Sequence, residues 1–299
     1  MDKKLFLLDG MALVYRAHFA LIQRPIFTSK GVNTSALYGF TQTLLEILKN
    51  QEPTHIAVAF DTEKPTQRHT DYAAYKATRE AMPEDLIKAL PHVRRMLEAF
   101  RIPALAADGY EADDLIGTLV CRAAKEGFMS YMVTPDKDFG QLVNDRTFIF
   151  KPGRMGDPAE ILGAKEVCAR WGIQRPEQVI DLLALMGDSV DNIPGVPGVG
   201  EKTAAKLIGQ FGTVENLLEN VAQLKGKLGE TIQKHREEAL LSKRLATLNC
   251  DTPCKIDLEE LRVQAADETN LKEMLVEFEF NSLGRRLFGE AFRAGHALP

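Results

Sequence analysis

Tryptophan occurs once in 299 residues, cysteine four times, and aromatic residues make up only 7% of the chain. The four thiols, Cys121, Cys168, Cys250 and Cys254, form no CxxC pair. That excludes a zinc ribbon and a disulfide-dense secreted scaffold, and the four read as reduced thiols of a cytosolic protein. Long apolar runs are also missing. MDKKLFLLDG carries a short apolar run before Asp9, which fits no signal peptide. Nothing in the chain approaches the roughly 18 apolar residues of a membrane helix. Positive charge is not in excess either. The net charge is −5, so bulk charge argues against nucleic acid, but its distribution does not. From Lys64 to Arg101 eight Lys/Arg stand against five Asp/Glu.

What is present is an alternation of short buried runs and amphipathic stretches. Leu5 to Leu8, Ile56 to Phe60, Ile102 to Ala106, Met129 to Thr134 and Phe148 to Phe150 read as strands. Continuous apolar runs of this kind belong to strands covered on both faces. Helical patterns separate them, over Met11 to Leu21, from Ser35 (a candidate cap) through Leu48, from Pro83 through Leu90 or beyond, with Met96, Leu97 and Phe100 continuing the apolar face after Pro91, and over Asp113 to Ala124. The expected fold is therefore α/β, a mostly parallel central sheet with helices on both faces. Beyond the Pro/Gly-bearing loop at 151–157 the chain becomes mostly helical, with helices at Ala164 to Trp171, Pro176 to Met186, Glu201 to Ile208, Val214 to Leu218, Gly229 to Leu248 and Leu271 to Phe278. The expected division is a catalytic core at 1–157 and a helical region at 158–299.

In parallel sheets ligands bind beyond the carboxyl ends of the strands. Asp9, Asp61 and Asp136 each follow a strand directly or nearly so. Glu111, Asp113 and Asp114 open a helix, Asp138 flanks Lys137 with Asp136, and Asp188 and Asp191 stand three apart. Glu111, Asp113 and Asp114 have a plain reading as first-turn acids, and Asp136 and Asp138 as a turn or cap, but Asp9 and Asp61, each directly after a buried strand, are harder to dismiss. Nine carboxylates gathered together would repel one another and protonate unless cations neutralised them. Oxygen donors without a His/Cys set favour Mg²⁺ or Mn²⁺, and two such ions would suit phosphodiester hydrolysis.

Tyr72, Tyr75, Lys76 and Arg79 stand at i, i+3, i+4 and i+7, which on a helix makes one stripe of rings and cations, with Arg68 placed to join them. Rings stack on bases and cations neutralise phosphates. Residues 62–82 have little apolar pattern, and 64–82 is expected to be mobile without substrate and to become ordered when DNA binds. The run IPGVPGVGEKTAAK then sets Gly195, Gly198 and Gly200 before a helix carrying Lys202 and Lys206. It is not a dinucleotide fingerprint, because no buried strand precedes it. A glycine turn between two helices suits a helix–hairpin–helix that grips a sugar–phosphate backbone, and its carbonyls suit a monovalent cation.

LFLLDG, AFD with RHTDYAAYKATR, GYEADDLIGTL, TPDKDFGQLV and LMGDSVDNIPGVPGVGEKTA together resemble the 5′-nuclease (flap endonuclease) family, and most closely the N-terminal 5′→3′ exonuclease domain of bacterial DNA polymerase I. The resemblance covers nearly the whole chain, to about Phe288. It implies that Asp9, Asp61, Glu111, Asp113, Asp114, Asp136, Asp138, Asp188 and Asp191 bind metal. It places Arg68, Lys76 and Arg79 as catalytic residues on a helical arch at about 62–100, and a helix–hairpin–helix at about 185–210. The activity implied is metal-dependent cleavage near 5′ ends of flapped, nicked or branched DNA and removal of RNA primers. The setting implied is a cytoplasmic, nucleoid-associated bacterial monomer, joined to polymerase domains where the chain is longer. Pro135 stands where many relatives carry Gly before the DKD run. A DNA-junction binder that does not cut is the alternative, but it would have lost metal carboxylates, and none is lost. A haloacid-dehalogenase-type phosphatase needs a second Asp two positions after the first, where this chain has Met11.

Overall fold

The computed structural model describes residues 3–153 and 157–294, so the expected loop at 151–157 lies partly outside the described residues. The chain forms two compact units that do not follow chain order. The first comprises Met1–Asp61, Ala81–Ala106 and Lys255–Pro299, and the second Thr62–Glu80 and Ala107–Cys254. Elements are numbered along the chain.

The first unit holds β1 (Lys4–Asp9), α1 (Gly10–Leu21), α2 (Ser35–Asn50), β2 (His55–Ala59), α4 (Glu84–Ala99), β3 (Ala104–Leu105), α12 (Glu268–Glu277) and α13 (Asn281–Phe288). Its strands lie in the order β3-β2-β1, all parallel. Leu5 to Leu8 and Ile56 to Ala59 are at most 2% exposed, which is why both strands read as unbroken apolar runs. Register pairs Asp9 with Ala59, so Asp9 and Asp61 leave the same carboxyl edge of adjacent strands. Gly10 is required there, because a Cβ on it would stand 2.5 Å from the Phe60 ring.

The second unit holds α3 (Gln67–Asp71), α5 (Ala112–Lys125), β4 (Met129–Val133), β5 (Thr147–Lys151), β6 (Glu160–Leu162), α6 (Ala164–Trp171), α7 (Val179–Met186), α8 (Glu201–Phe211), α9 (Val214–Glu219), α10 (Lys227–Lys234) and α11 (Arg236–Ala246). β4 and β5 are parallel, and β6 adds antiparallel to β5. The mostly parallel α/β class expected from the sequence is the class found.

Several local expectations need correction. Tyr72 to Thr78 is a series of turns, not a helix, and Lys76 has φ +56°, so no helical stripe of rings and cations forms. Ser35 does not cap α2. Its Oγ accepts from Ile26 N (2.8 Å), and Thr34 holds the cap position. The helix expected over 229–248 breaks at His235 into α10 and α11. α4 runs unbroken through Pro91, which lies on its exposed side. β6, with 3 residues, and α13, with 8 residues and Gly284 inside it, were too short to be read.

Candidate functional site

Seven of the nine predicted acids lie in the second unit, and the fold brings them to neighbouring loops and helix starts. Glu111 is the N-cap of α5 and forms a capping box with Asp114. Asp113 is half-buried in the same first turn. The plain reading of these acids as helix-start residues is thus correct, but their side chains do more than cap.

Arg68 reaches both of them from α3. Its Nη1 and Nη2 hold the two Asp114 oxygens at 2.7 Å each, and Nη1 also meets Glu111 Oε2 at 3.2 Å. Nε donates to Leu245 O (2.9 Å) and Nη2 to Thr247 O (2.8 Å). Arg68 is only 9% exposed. Burial alone would lower its pKa, but the hydrogen bonds and charge of Asp114, then the charge of Glu111, outweigh it and raise it. Asp114 also accepts from the backbone of Glu111 (3.3 Å) and Asn249 (2.8 Å), so its oxygens are fully engaged.

The 72–79 segment, expected to be mobile, is fastened on several sides. Lys76 Nζ pairs with Glu111 Oε1 at 2.7 Å and stands 3.8 Å from Asp191 Oδ2. Arg79 Nη2 pairs with Asp191 Oδ1. Lys76 N donates to Asp191 O, and Asn192 Nδ2 donates to Ala74 O. Tyr75, expected to stack on bases, is instead 4% exposed, with its hydroxyl 3.2 Å from both Glu111 Oε2 and Asp191 Oδ2. Burial, reinforced by those two carboxylates, raises its pKa and keeps it a neutral donor. Burial would lower the Lys76 pKa, but Glu111 and Asp191 outweigh it.

Asp136, Asp138 and Asp188 form the second part of the cluster. Asp136 follows β4 and accepts from Asp138 N (2.9 Å), while its own N donates to Thr134 Oγ1 (3.1 Å). Asp188 follows α7 and closes a small bridge with Ile193. Lys137 Nζ pairs with Asp188 Oδ2 at 2.9 Å. Burial, then the charges of Asp136 and Asp188, push the Asp138 carboxyl up to about 8. Burial likewise raises Asp136, with Asp191 and Asp188 adding to it. Asp138 Oδ1 is buried without a hydrogen-bond partner. Among the described residues no three His, Cys, Asp or Glu side chains already stand at metal-holding spacing. Lys76, Arg79, Lys137 and Arg68 supply part of the neutralisation that the sequence reading assigned wholly to metal ions. Even so, the donor set fits a hard divalent cation. It is all oxygen, and it contains a buried oxygen that nothing in the protein satisfies.

Asp9 and Asp61 lie in the first unit. Asp9 is 8% exposed and its Oδ1 caps α1 by accepting from Ala12 N at 3.0 Å.

The glycine loop runs from Gly187 to Gly200 between α7 and α8. Its glycines are not equivalent. Gly195 has φ +63°, and a Cβ there would lie 2.3 Å from Gly187 N. Its N donates to the fully buried Ser242 Oγ of α11 (2.9 Å), so Gly195 is packed inside the fold. Gly198 and Gly200 face open space, and Lys202 and Lys206 are exposed one turn apart on α8.

Sequence reasoning missed Lys137, Asn192 and Asn249. Lys137 was visible between two acids. Asn192 (φ +56°) had a local clue, since Asn tolerates the left-handed region. Asn249 acts through its backbone N, which no side-chain pattern reveals.

An α/β fold that crowds buried carboxylates with Lys and Arg, and a glycine loop that opens a basic helix, are the features the sequence led one to expect of a 5′-nuclease. Residues 4–172 match the model of the 5′-3′ exonuclease N-terminal resolvase-like domain, and 174–269 match the 5′-3′ exonuclease C-terminal SAM fold. The chain belongs to the 5′-3′ exonuclease family. It is 45% identical to DNA polymerase I of Bacillus caldotenax over 94% of its own length, but that match spans only 32% of the polymerase. The zinc-bound 5′-exonuclease of T5 shares the fold, with a TM-score of 0.70 and 22% identity over 92% of this chain and 99% of that one. The T5 D15 flap endonuclease, in a pseudo-enzyme-product complex with DNA and metal ions, gives 0.69 and 21% over 91% and 98%. Among the described residues no helix is long and apolar enough to cross a membrane.

Proposed function

We propose that this chain hydrolyses phosphodiesters near the 5′ ends of flapped, nicked or branched DNA, including RNA primers on DNA, using Mg²⁺ or Mn²⁺. The observation that carries this reading is Asp138 Oδ1, buried and unpaired on a carboxyl that burial and the charges of Asp136 and Asp188 push up to about 8. Such an oxygen is completed by a cation, a proton or a water, and a cation also neutralises the acids around it.

Asp136, Asp138, Asp188, Asp191, Glu111 and Asp113 are the proposed metal-binding acids of the second unit, and Asp9 and Asp61 are proposed as metal-binding acids of the first. Divalent ions would supply an activated water and charge stabilisation on the phosphate. Asp114, with every oxygen engaged, is better suited to orienting Arg68 and the start of α5 than to direct ligation. Arg68 is then a positioning residue. Lys76 and Arg79 are the residues proposed to stabilise charge on the reacting phosphate. Tyr75 donates its hydroxyl among the acids rather than stacking, which leaves Tyr72 as the ring proposed for stacking.

Gly198 and Gly200 are open to solvent where backbone N–H groups can meet a phosphate, and Lys202 and Lys206 add charge. The loop is proposed to grip the duplex backbone as a helix–hairpin–helix, with its carbonyls available to a monovalent cation. Incubation with a 5′-flap duplex, with Mg²⁺ or with chelator, tests the reading. Cleavage with Mg²⁺ and none with chelator is expected. Tight binding to the flap without cutting under any divalent cation would favour a junction-binding module instead.

A further inference from the structure

Cys121 and Cys250 belong to no part of the proposed nuclease site, and no sequence motif pairs them. The fold does. Cys121 lies one turn beyond Gly117 on α5, so the two positions share a helix face. A Cβ on Gly117 would stand 3.8 Å from Cys250 Sγ and 3.4 Å from Asn249 O, which places Cys250 over that face. Thr118 Oγ1 clamps the chain on both sides of Cys250, donating to Asn249 O (3.2 Å) and accepting from Thr252 N (2.9 Å). The two thiols sense each other: Cys250 lowers the Cys121 thiol, and Cys121 raises that of Cys250. Both are half-buried, so a small oxidant can reach them.

We propose that Cys121 and Cys250 are a redox modification site, forming a reversible disulfide when the protein meets a hydroperoxide. The Cys121 thiolate attacks the peroxide O–O bond and becomes a sulfenic acid as one water or alcohol leaves. Cys250 then attacks that sulfur, its proton goes to the departing oxygen, and a second water leaves. Two thiols have lost two electrons and the peroxide has gained them. The roles follow from the surroundings. Cys250 and, one turn further along α5, the Lys125 ammonium hold the Cys121 thiol down to about 7, whereas burial pushes Cys168 up. A lowered thiol pKa favours the attacking thiolate.

The bond would be felt at the carboxylate cluster. A disulfide needs its sulfurs about 2.05 Å apart, so the 249–252 segment must draw toward α5. That segment donates from Asn249 N to Asp114 (2.8 Å), and two residues earlier Thr247 O receives Arg68 (2.8 Å).

The test is peptide mapping of the whole protein after brief exposure to a small excess of hydrogen peroxide. A cross-linked Cys121–Cys250 peptide, lighter by two hydrogens and split by dithiothreitol, is expected, with Cys168 and Cys254 still alkylated. Cys250→Ser should instead accumulate a Cys121 sulfenic acid trapped by dimedone. The proposal fails if no linked peptide forms, if Cys121 oxidises no faster than Cys168, or if Cys250→Ser traps no more sulfenic acid than the parent. The readout is a covalent bond, so its failure would leave the nuclease reading untouched.

Discussion

Arg68→Met removes a buried cation while leaving a side chain of similar length. The residue is 9% exposed and Asp114, its bidentate partner, is 2% exposed, so solvent screening discounts little of the loss. Lys76 still covers Glu111 at 2.7 Å in the variant, so Asp114 is the charge left stranded. The carbonyls of Leu245 and Thr247, at the end of α11, lose their donors as well. They are among the end groups a helix cannot satisfy internally. Breaking one side of a buried ion pair costs about 3–5 kcal/mol. Whole domains are stable by only about 5–15 kcal/mol, so the effect is large. Arg68→Lys keeps the charge, but a single ammonium cannot hold Asp114 and two carbonyls at once, and it should recover only part of the loss. Urea unfolding in metal-free buffer, followed by far-UV circular dichroism, measures both. A loss under about 1 kcal/mol for Arg68→Met, at unchanged denaturant dependence, would refute the anchoring role.

Other expectations follow from the same cluster. The Asp138 carboxyl sits at about 8 in the folded protein and near the ordinary Asp value of about 3.9 when unfolded. Its contribution to metal-free stability is therefore fully present below about pH 4 and is lost as pH rises through about 8. Metal binding must expel that proton, so Mg²⁺ affinity should climb toward pH 8, with proton release visible by calorimetry in buffers of different ionisation heat. No proton release would mean that Asp138 stays out of the metal site. Lys76→Ala should slow flap cleavage roughly 100-fold or more, in line with loss of one preorganised donor, while DNA affinity changes less. Equal losses in both would make Lys76 a tether only.

The buried strands were legible because strands covered on both faces tolerate few polar residues, and Leu5 to Leu8 and Ile56 to Ala59 admit none. Acids at strand and helix ends were legible for the same reason, since they interrupt otherwise apolar or periodic runs. The 72–79 segment was misread because its spacing matched a helix while its conformation is set by distant partners. Lys76 adopts a positive φ and its N bonds to Asp191 O, a contact across more than a hundred residues of chain.

The order of residues alone settled the family and the mostly parallel α/β class, and it singled out the acids proposed to hold metal, because burial and charge constrain residue type position by position. Only the folded chain decided how those acids are neutralised. It turned Arg68 and Tyr75 inward, sealed Gly195 while leaving Gly198 open, and set Cys250 against Cys121. Such pairings depend on three-dimensional proximity between segments remote in the chain, and local pattern carries no record of it.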